Sequence, residues 1–244
     1  MEAIDMKIQY KRWMKAATAG ALLLAAVAVY AQTVRPFNGK NLEGWKTKGG
    51  RGANFWTVGS ATLDPDNPAK LAVAPKGNQL INAAPGHGAG QDIYSEKLHG
   101  DGVIKLEVMV PKGSNSGIYV MGEYEVQVLD SFGRDANPGP GDMGAIYGAA
   151  PPHNPKYRAP GEWNTYEIHF VAPRFDAQGN KTANARFIKV VLNGVAIHEN
   201  VELKGVTPGG VDGKEKAQGP LMFQGDHGPV AYRNIVISPL PRQR

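Results

Sequence analysis

The sequence contains no cysteine among its 244 residues. This absence excludes disulfide bonds, cysteine-ligated zinc, iron–sulfur clusters and thiol catalysis. It also excludes a bacterial lipoprotein anchor, which needs a cysteine to carry the lipid. Any catalysis by this chain must therefore use groups other than thiols, such as carboxylates, histidines, amides or a hard metal ion.

Charged residues are missing from residues 16–29, which read AATAGALLLAAVAV after a stretch that holds four basic residues. Small residues follow at Val29 and Ala31, the two positions that a signal peptidase reads. The pattern predicts a secretory signal peptide over residues 1–31, cleaved before Gln32. Fourteen apolar residues are fewer than the roughly 20 that span a bilayer. We therefore expect a periplasmic or secreted bacterial protein with no stable membrane anchor after cleavage.

A strong excess of charge of one sign is also missing. Removal of residues 1–31 lowers the formal net charge from +5 to +3, and no run of Lys or Arg follows. A nucleic-acid-binding chain normally shows a clustered basic surface. We therefore expect no nucleic acid as a partner.

No segment of 11 residues beyond the leader carries a sustained helical stripe. Apolar residues instead alternate in short runs, and these runs are bounded by many of the 31 Gly and 18 Pro. Asn193-Gly194 lies between two of the runs and is a strong hairpin signal. This pattern predicts one all-β domain over residues 32–244, a sandwich or a barrel, with strands near residues 103–110, 117–121, 124–130, 163–171, 186–192, 221–224 and 230–237.

Residues 131–161 show little strand pattern and hold six prolines and six glycines. A loop of this length inside a compact domain often covers a binding site. Its aromatic residues Tyr147 and Tyr157, with Trp163 just beyond, favour a packed lid over a disordered excursion. We expect Tyr147 to contact the substrate.

The run 123–130 reads EYEVQVLD and holds the first candidate site residues. Strand alternation places Glu123, Glu125 and Gln127 on one face and the apolar residues on the other. Two acids and an amide on one face suit a sugar, whose hydroxyl groups need both donors and acceptors. An ordinary solvated sheet face is the alternative. Glu125 is a candidate catalytic residue, and Gln127 a candidate substrate ligand.

A second candidate segment, residues 221–230, reads LMFQGDHGPV, so that a strand ends in a tight loop bounded by glycines. His227 in this loop is the side chain best suited to move a proton near neutral pH. Gln224 at the end of the strand is a candidate substrate ligand. The alternative for His227 is a loop histidine that is bonded to a backbone carbonyl.

Arg233 and Asn115 complete the set of candidate substrate ligands. An arginine in the otherwise apolar last strand needs a partner, because an unpaired buried charge is costly. Arg233 therefore binds substrate or forms a structural ion pair with Glu125 or Asp130. Asn115 opens a strand, where it caps a turn or contacts the ligand.

Seven short motifs together resemble a known family. They are FNGKNLEGW, NSGIY, YEVQVLD, AIYG, GEWN, LNG and RNI, which begin at residues 37, 115, 124, 145, 161, 192 and 233. In this order they resemble the 3-keto-disaccharide hydrolase domain family, long numbered as domain of unknown function 1080, over about residues 34–240. The resemblance implies a concanavalin A-like jelly-roll sandwich of two curved antiparallel sheets, with the long loop over the concave face.

The same resemblance implies cleavage of glycosides whose sugar is oxidised at C3. A C3 ketone acidifies the C2 hydrogen, so a base removes it, the glycosidic oxygen leaves, and water later adds back. This chemistry needs a base, an acid and a group that holds the enolate oxygen. His227 or Glu125 is the candidate base. Gln127, Gln224 and Arg233 are candidates to polarise the ketone, and a divalent metal is the alternative to them.

Two other functions remain open. Jelly-roll β-glucanases carry E-x-D-x-x-E on a concave strand, whereas this chain reads Glu125-x-Gln127-x-x-Asp130. Retaining hydrolysis needs two carboxyl groups about 5–5.5 Å apart, and this altered pattern makes it the weaker reading. A carbohydrate-binding module without catalysis is the second alternative, because a fold does not decide function.

Overall fold

The alternating runs of the sequence form strands, and the Gly- and Pro-rich segments form the turns between them. A computed structural model describes residues 32–50 and 52–241; the predicted signal peptide lies outside them. No helix in the described part of the chain is long and apolar enough to cross a membrane. The strands are β1 (Trp45–Thr47), β2 (Trp56–Leu63), β3 (Leu71–Asn82), β4 (Ile93–His99), β5 (Gly102–Met109), β6 (Asn115–Val120), β7 (Tyr124–Leu129), β8 (Asn164–Val171), β9 (Arg174–Phe175), β10 (Lys181–Ala183), β11 (Ala185–Leu192), β12 (Val195–Leu203), β13 (Gly219–Phe223) and β14 (Val230–Ser238).

These strands form two large antiparallel sheets. One has five strands in the order β1-β4-β13-β6-β7, and the other has seven in the order β12-β11-β8-β5-β14-β3-β2. Strands β9 and β10 form a separate small hairpin. The two sheets pack as a jelly-roll sandwich, and this architecture confirms the predicted fold class.

The hairpin predicted at Asn193-Gly194 joins β11 to β12. Both residues have positive φ, 51° at Asn193 and 82° at Gly194, as a two-residue turn with the hairpin twist requires. The turn is also fastened to the neighbouring strand, because Thr165 donates its N–H to Asn193 Oδ1 over 2.8 Å.

Aromatic side chains from both sheets fill the space between them. Phe223 of the five-stranded sheet stacks on Tyr232 of the seven-stranded sheet, with ring centroids 3.9 Å apart, and on Trp45 at 5.5 Å. Tyr124 of β7 packs on Phe170 of β8 at 5.3 Å. The even-numbered residues of β7 thus face the core, so Glu125 and Gln127 face outward as the alternation predicts.

The long loop is packed against the edge of the five-stranded sheet. Gln127 donates its N–H to Ala145 O over 2.9 Å, and Tyr147 donates its N–H to Glu125 O over 3.2 Å. Ile146 and Tyr157 are buried with the core. These backbone bonds extend the sheet beyond β7 and bring Tyr147 beside the outward-facing residues of that strand.

Candidate active site

A polar cavity of about 320 Å³ lies on the outer face of the five-stranded sheet. Small-molecule sites span about 300–1,000 Å³, so the cavity has room for a small ligand. Its walls come from strands β6 and β7, from residues next to the ends of β1, β4 and β13, and from three loops, at residue 147, residues 208–209 and residues 226–227. The lining residues are Lys48, Asp92, Asn115, Tyr119, Glu125, Gln127, Tyr147, Pro208, Gly209, Gln224, Asp226 and His227.

Glu125 projects from β7 into this cavity and is only 4% exposed. Its carboxylate lies over Gly117 on the paired strand β6, where any Cβ would overlap the oxygen Oε1. Burial raises the pKa of Glu125 to about 7, and the nearby carboxylates of Asp92 and Asp226 act in the same direction. The group can therefore gain or lose a proton close to neutral pH.

His227 is held by its neighbour Asp226. Its Nδ1 is hydrogen-bonded to Asp226 Oδ1, which leaves Nε2 for a ligand. This bond raises the pKa of His227 above its ordinary value and lowers that of Asp226. The arrangement favours the imidazolium form and orients the ring, as a neighbouring carboxylate does in many catalytic sites.

The amide side chains in the cavity keep hydrogen-bonding capacity for a ligand. Asn115 Oδ1 is buried without a hydrogen-bond partner, and a buried oxygen of this kind is costly unless a ligand or water meets it. Gln127 uses Oε1 to accept the N–H of Val128 over 3.0 Å, so its NH₂ group remains available. Tyr147 at the rim is 44% exposed. This combination of amide groups and one exposed aromatic ring suits a sugar.

The structure brings six of the seven predicted site residues into one cavity. The exception is Arg233, which lies on the seven-stranded sheet. Its Nε and Nη2 both donate to Glu107 Oε2, over 2.8 and 2.6 Å, and its guanidinium carbon lies 4.0 Å from the centroid of the Trp163 ring. The expected pairing with Glu125 or Asp130 is corrected to a pairing with Glu107, because β14 pairs with β5. The charge of Arg233 is thus paired on the seven-stranded sheet, away from the cavity on the five-stranded sheet.

We expect Arg233→Gln to leave any activity of the cavity unchanged and to lower the free energy of unfolding by about 1 kcal/mol, because it removes a partly exposed ion pair and a stacked cation. Urea denaturation and an activity assay on the same preparation measure both. A loss of turnover without a loss of stability would contradict this assignment.

Reasoning from the sequence missed several cavity residues. Lys48 follows the short strand β1, and its Nζ donates to Gly209 O over 2.7 Å. Asp92 precedes β4, accepts the N–H of Gly225 over 2.9 Å, and has a pKa raised by burial. Tyr119 lies opposite Glu125 in the β6–β7 register. Of these three residues, only Tyr119 could have been predicted from the sequence, because it alternates with the core-facing residues of a recognisable strand.

The β-glucanase-like pattern does not bring a second carboxylate to the cavity at Asp130. Asp130 lies at the end of β7, where Oδ2 accepts the N–H of Gly113 over 2.9 Å and Oδ1 accepts that of Phe132 over 3.3 Å. These bonds give Asp130 a role in the turns at this end of the strand. The other carboxylates of the cavity are Asp92 and Asp226.

A divalent metal was the alternative means of polarising a ketone. Within residues 32–50 and 52–241, no group of three or more His, Asp or Glu side chains is arranged to hold a metal ion.

The raised pKa of Glu125 predicts a pH-dependent stability. Between about pH 4.5 and pH 7 the folded protein keeps a proton that the unfolded chain has lost, so stability falls as the pH rises. We expect this group alone to remove about 3 kcal/mol across that window. In Glu125→Gln this contribution is absent. Urea denaturation at pH 5 and pH 8 measures the free energy of unfolding of both proteins. At pH 8 the variant should be more stable relative to wild type than it is at pH 5. An equal change in stability between the two pH values for both proteins would contradict a buried carboxyl group with a raised pKa.

Comparisons with known proteins place this chain in a family. The profile of the 3-keto-alpha-glucoside-1,2-lyase-like domain matches residues 32–238. The chain is similar to a crystal structure of a predicted glycosyl hydrolase from Parabacteroides distasonis, with 28% identity, a TM-score of 0.62, and coverage of 86% of this chain and 84% of that one.

Two further predicted glycosyl hydrolases from the same organism share the fold. They have identities of 17% and 20%, both with a TM-score of 0.56, and the alignments cover 86% of this chain and 94% and 100% of theirs. No curated protein matches the chain. The profile match spans most of the sequence, so this chain belongs to the 3-keto-alpha-glucoside-1,2-lyase-like (3-keto-disaccharide hydrolase) domain family.

Proposed function

We propose that the protein is an exported enzyme that cleaves 3-keto-glycosides by elimination, with net hydrolysis after water adds back. Membership of the family supports a glycoside hydrolase-like or carbohydrate-binding role. One observation carries the finer proposal: a buried carboxyl group, Glu125, and an Asp226-paired His227 line the same polar cavity. They are the base and the acid that an elimination requires.

The protonation states of Glu125 and His227 near neutral pH assign their roles within this proposal. With a pKa near 7, Glu125 is substantially ionised at neutral pH, and the Asp226 carboxylate favours the imidazolium form of His227. Carboxylate and imidazolium therefore coexist near neutrality. Glu125 acts as the base at C2, and His227 as the acid for the leaving oxygen.

The reaction then proceeds in two stages. Glu125 takes the C2 proton, the electron pair of the C2–H bond forms C2=C3, and negative charge develops on the C3 oxygen. The electron pair on the C3 oxygen then re-forms the ketone, and the C2=C3 pair moves to form C1=C2. The C1–O bond breaks at the same time, and His227 protonates the departing oxygen. Addition of water to the enone completes the hydrolysis. The amides of Asn115, Gln127 and Gln224 bind the sugar hydroxyls.

The deciding experiment compares a 3-keto-glucoside with its unoxidised glucoside at equal concentration. We expect the purified protein to release the aglycone from the ketone only, because the plain glucoside has no acidic C2–H. Each assay is run with and without a chelator. Equal turnover of the plain glucoside would contradict elimination and support a retaining hydrolase.

Non-catalytic sugar binding is the second candidate, favoured by the exposed ring of Tyr147 and the unpartnered Oδ1 of Asn115 in the same cavity. Calorimetry distinguishes the two functions. Binding of the 3-keto-glucoside with no product after prolonged incubation would support a binding module over an enzyme.

Export rests on the leader pattern of residues 1–31. We propose that the mature chain begins at Gln32 and lies in the periplasm or outside the cell. N-terminal sequencing of the protein from fractionated cells tests this, and a cytoplasmic chain that retains its leader would contradict it.

A further inference from the structure

The proposed elimination places negative charge on the C3 oxygen, and a fixed positive charge at that oxygen stabilises such an enolate. Arg233 was the sequence-based candidate for this charge, but it is paired with Glu107 on the other sheet. Among the described residues that line the cavity, Lys48 and His227 are the basic side chains. His227 is engaged as the acid, so Lys48 is the group left for the enolate.

The backbone at Lys48 is fixed at the edge of the five-stranded sheet. Its N–H donates to Asp92 O over 2.9 Å, which continues the β1–β4 pairing. The side chain then reaches over the cavity to the loop at residues 207–209, where Nζ donates to Gly209 O over 2.7 Å.

This loop contacts Lys48, Tyr119 and the backbone of Glu125. Tyr119 donates its hydroxyl to Pro208 O over 3.1 Å, so Lys48 Nζ and the Tyr119 hydroxyl bond adjacent carbonyl groups. Glu125 lies directly opposite Tyr119 in the β6–β7 register, and its N–H donates to Thr207 Oγ1 over 3.1 Å. Lys48 and the backbone of Glu125 are thus held by the same loop, and both residues line the cavity.

Lys48 retains donors for a ligand. An ammonium group has three N–H donors, and the bond to Gly209 O uses one. The Asp92 carboxylate forms an ion pair with Nζ at 3.7 Å, a distance at which it takes none of the N–H donors. The side chain is 28% exposed, so a sugar oxygen can reach the remaining donors.

We propose that the Lys48 ammonium group binds the C3 carbonyl oxygen of the substrate and stabilises the enolate formed there. This inference rests on the proposed elimination and adds a catalytic residue to it. As Glu125 takes the C2 proton, the electron pair of the C2–H bond becomes C2=C3, and the carbonyl π pair moves to the oxygen that Lys48 holds. No proton leaves Lys48.

The test isolates this step with a substrate that cannot eliminate. In 1,5-anhydro-3-keto-glucitol C1 carries no leaving group, so exchange of the C2 hydrogen with D₂O, followed by NMR, reports proton removal alone. We expect Lys48→Met and Lys48→Gln to slow exchange by about 10²–10³-fold, with the Kd for the ketone changed by less than about 10-fold. Lys48→Gln keeps a donor for Gly209 O, so it controls for a purely structural loss.

Lys46→Met is the matched control. Lys46 lies on the same face of the edge strand, is paired with Glu96 over 2.7 Å, and is largely exposed, so its removal should leave exchange at the wild-type rate. Exchange in folded Lys48→Gln within about threefold of wild type would overturn the role of Lys48, as would a weaker Kd with full exchange at saturation. No exchange by wild type would instead contradict the proposed elimination.

Discussion

Glu125→Gln is expected to lower turnover of a 3-keto-glucoside by about 10²–10⁴-fold, the usual contribution of a general base. Glutamine has the size of glutamate, so it fits over Gly117 without a new overlap, but it cannot accept the C2 proton. Initial rates at saturating substrate measure the loss. The loss should be at least as large for the p-nitrophenyl aglycone as for the methyl aglycone, because proton removal limits the rate where the leaving group departs readily.

Glu199→Gln is the control for this variant, because Glu199 is exposed on β12, a strand of the other sheet. It should keep the wild-type rate. Stability provides a second check, since Glu125→Gln should be more stable than wild type at pH 8. An inactive variant that is also less stable would point to misfolding, whereas a stable variant with wild-type turnover would remove Glu125 from the mechanism.

The sequence predicted the fold well because its strongest signals are local. Alternation along β7 and the turn at Asn193-Gly194 each depend on a few adjacent residues, and both have the predicted structure. The short strand β1 has only three residues, which is too few for a periodic signal. Its position depends on pairing with β4, which is a long-range contact.

The site was predictable where it lies on recognisable strands and loops. Gln127 is an outward-facing residue of β7, and His227 lies in a Gly-bounded loop, so each was found from its local pattern. Arg233 and Lys48 show the limit of such reasoning. The partner of Arg233 depends on the β14–β5 register, and the reach of Lys48 depends on the loop at residues 207–209. Neither contact can be predicted from the residues next to Arg233 or Lys48 in the sequence.

His227→Ala tests the acid and is expected to act differently from Glu125→Gln. Its effect should depend on the aglycone, because a general acid matters most where the leaving group is poor. We expect a loss of about 10²–10⁴-fold for a methyl 3-keto-glucoside and a much smaller loss for the p-nitrophenyl analogue, whose phenolate leaves without a proton.

The pH profile of His227→Ala gives a second signature of the acid. The wild-type rate should fall at alkaline pH as His227 loses its proton, above its ordinary pKa because Asp226 holds the imidazolium. In the variant this alkaline fall should vanish, whereas the acid fall from Glu125 remains and moves to higher pH, because the charge of His227 no longer lowers the pKa of Glu125. His153 is an exposed loop residue, so His153→Ala should show the same acid and alkaline falls in rate as wild type. An equal loss for both aglycones with an unchanged profile would assign His227 to binding, because only a proton donor couples the rate to the basicity of the leaving oxygen.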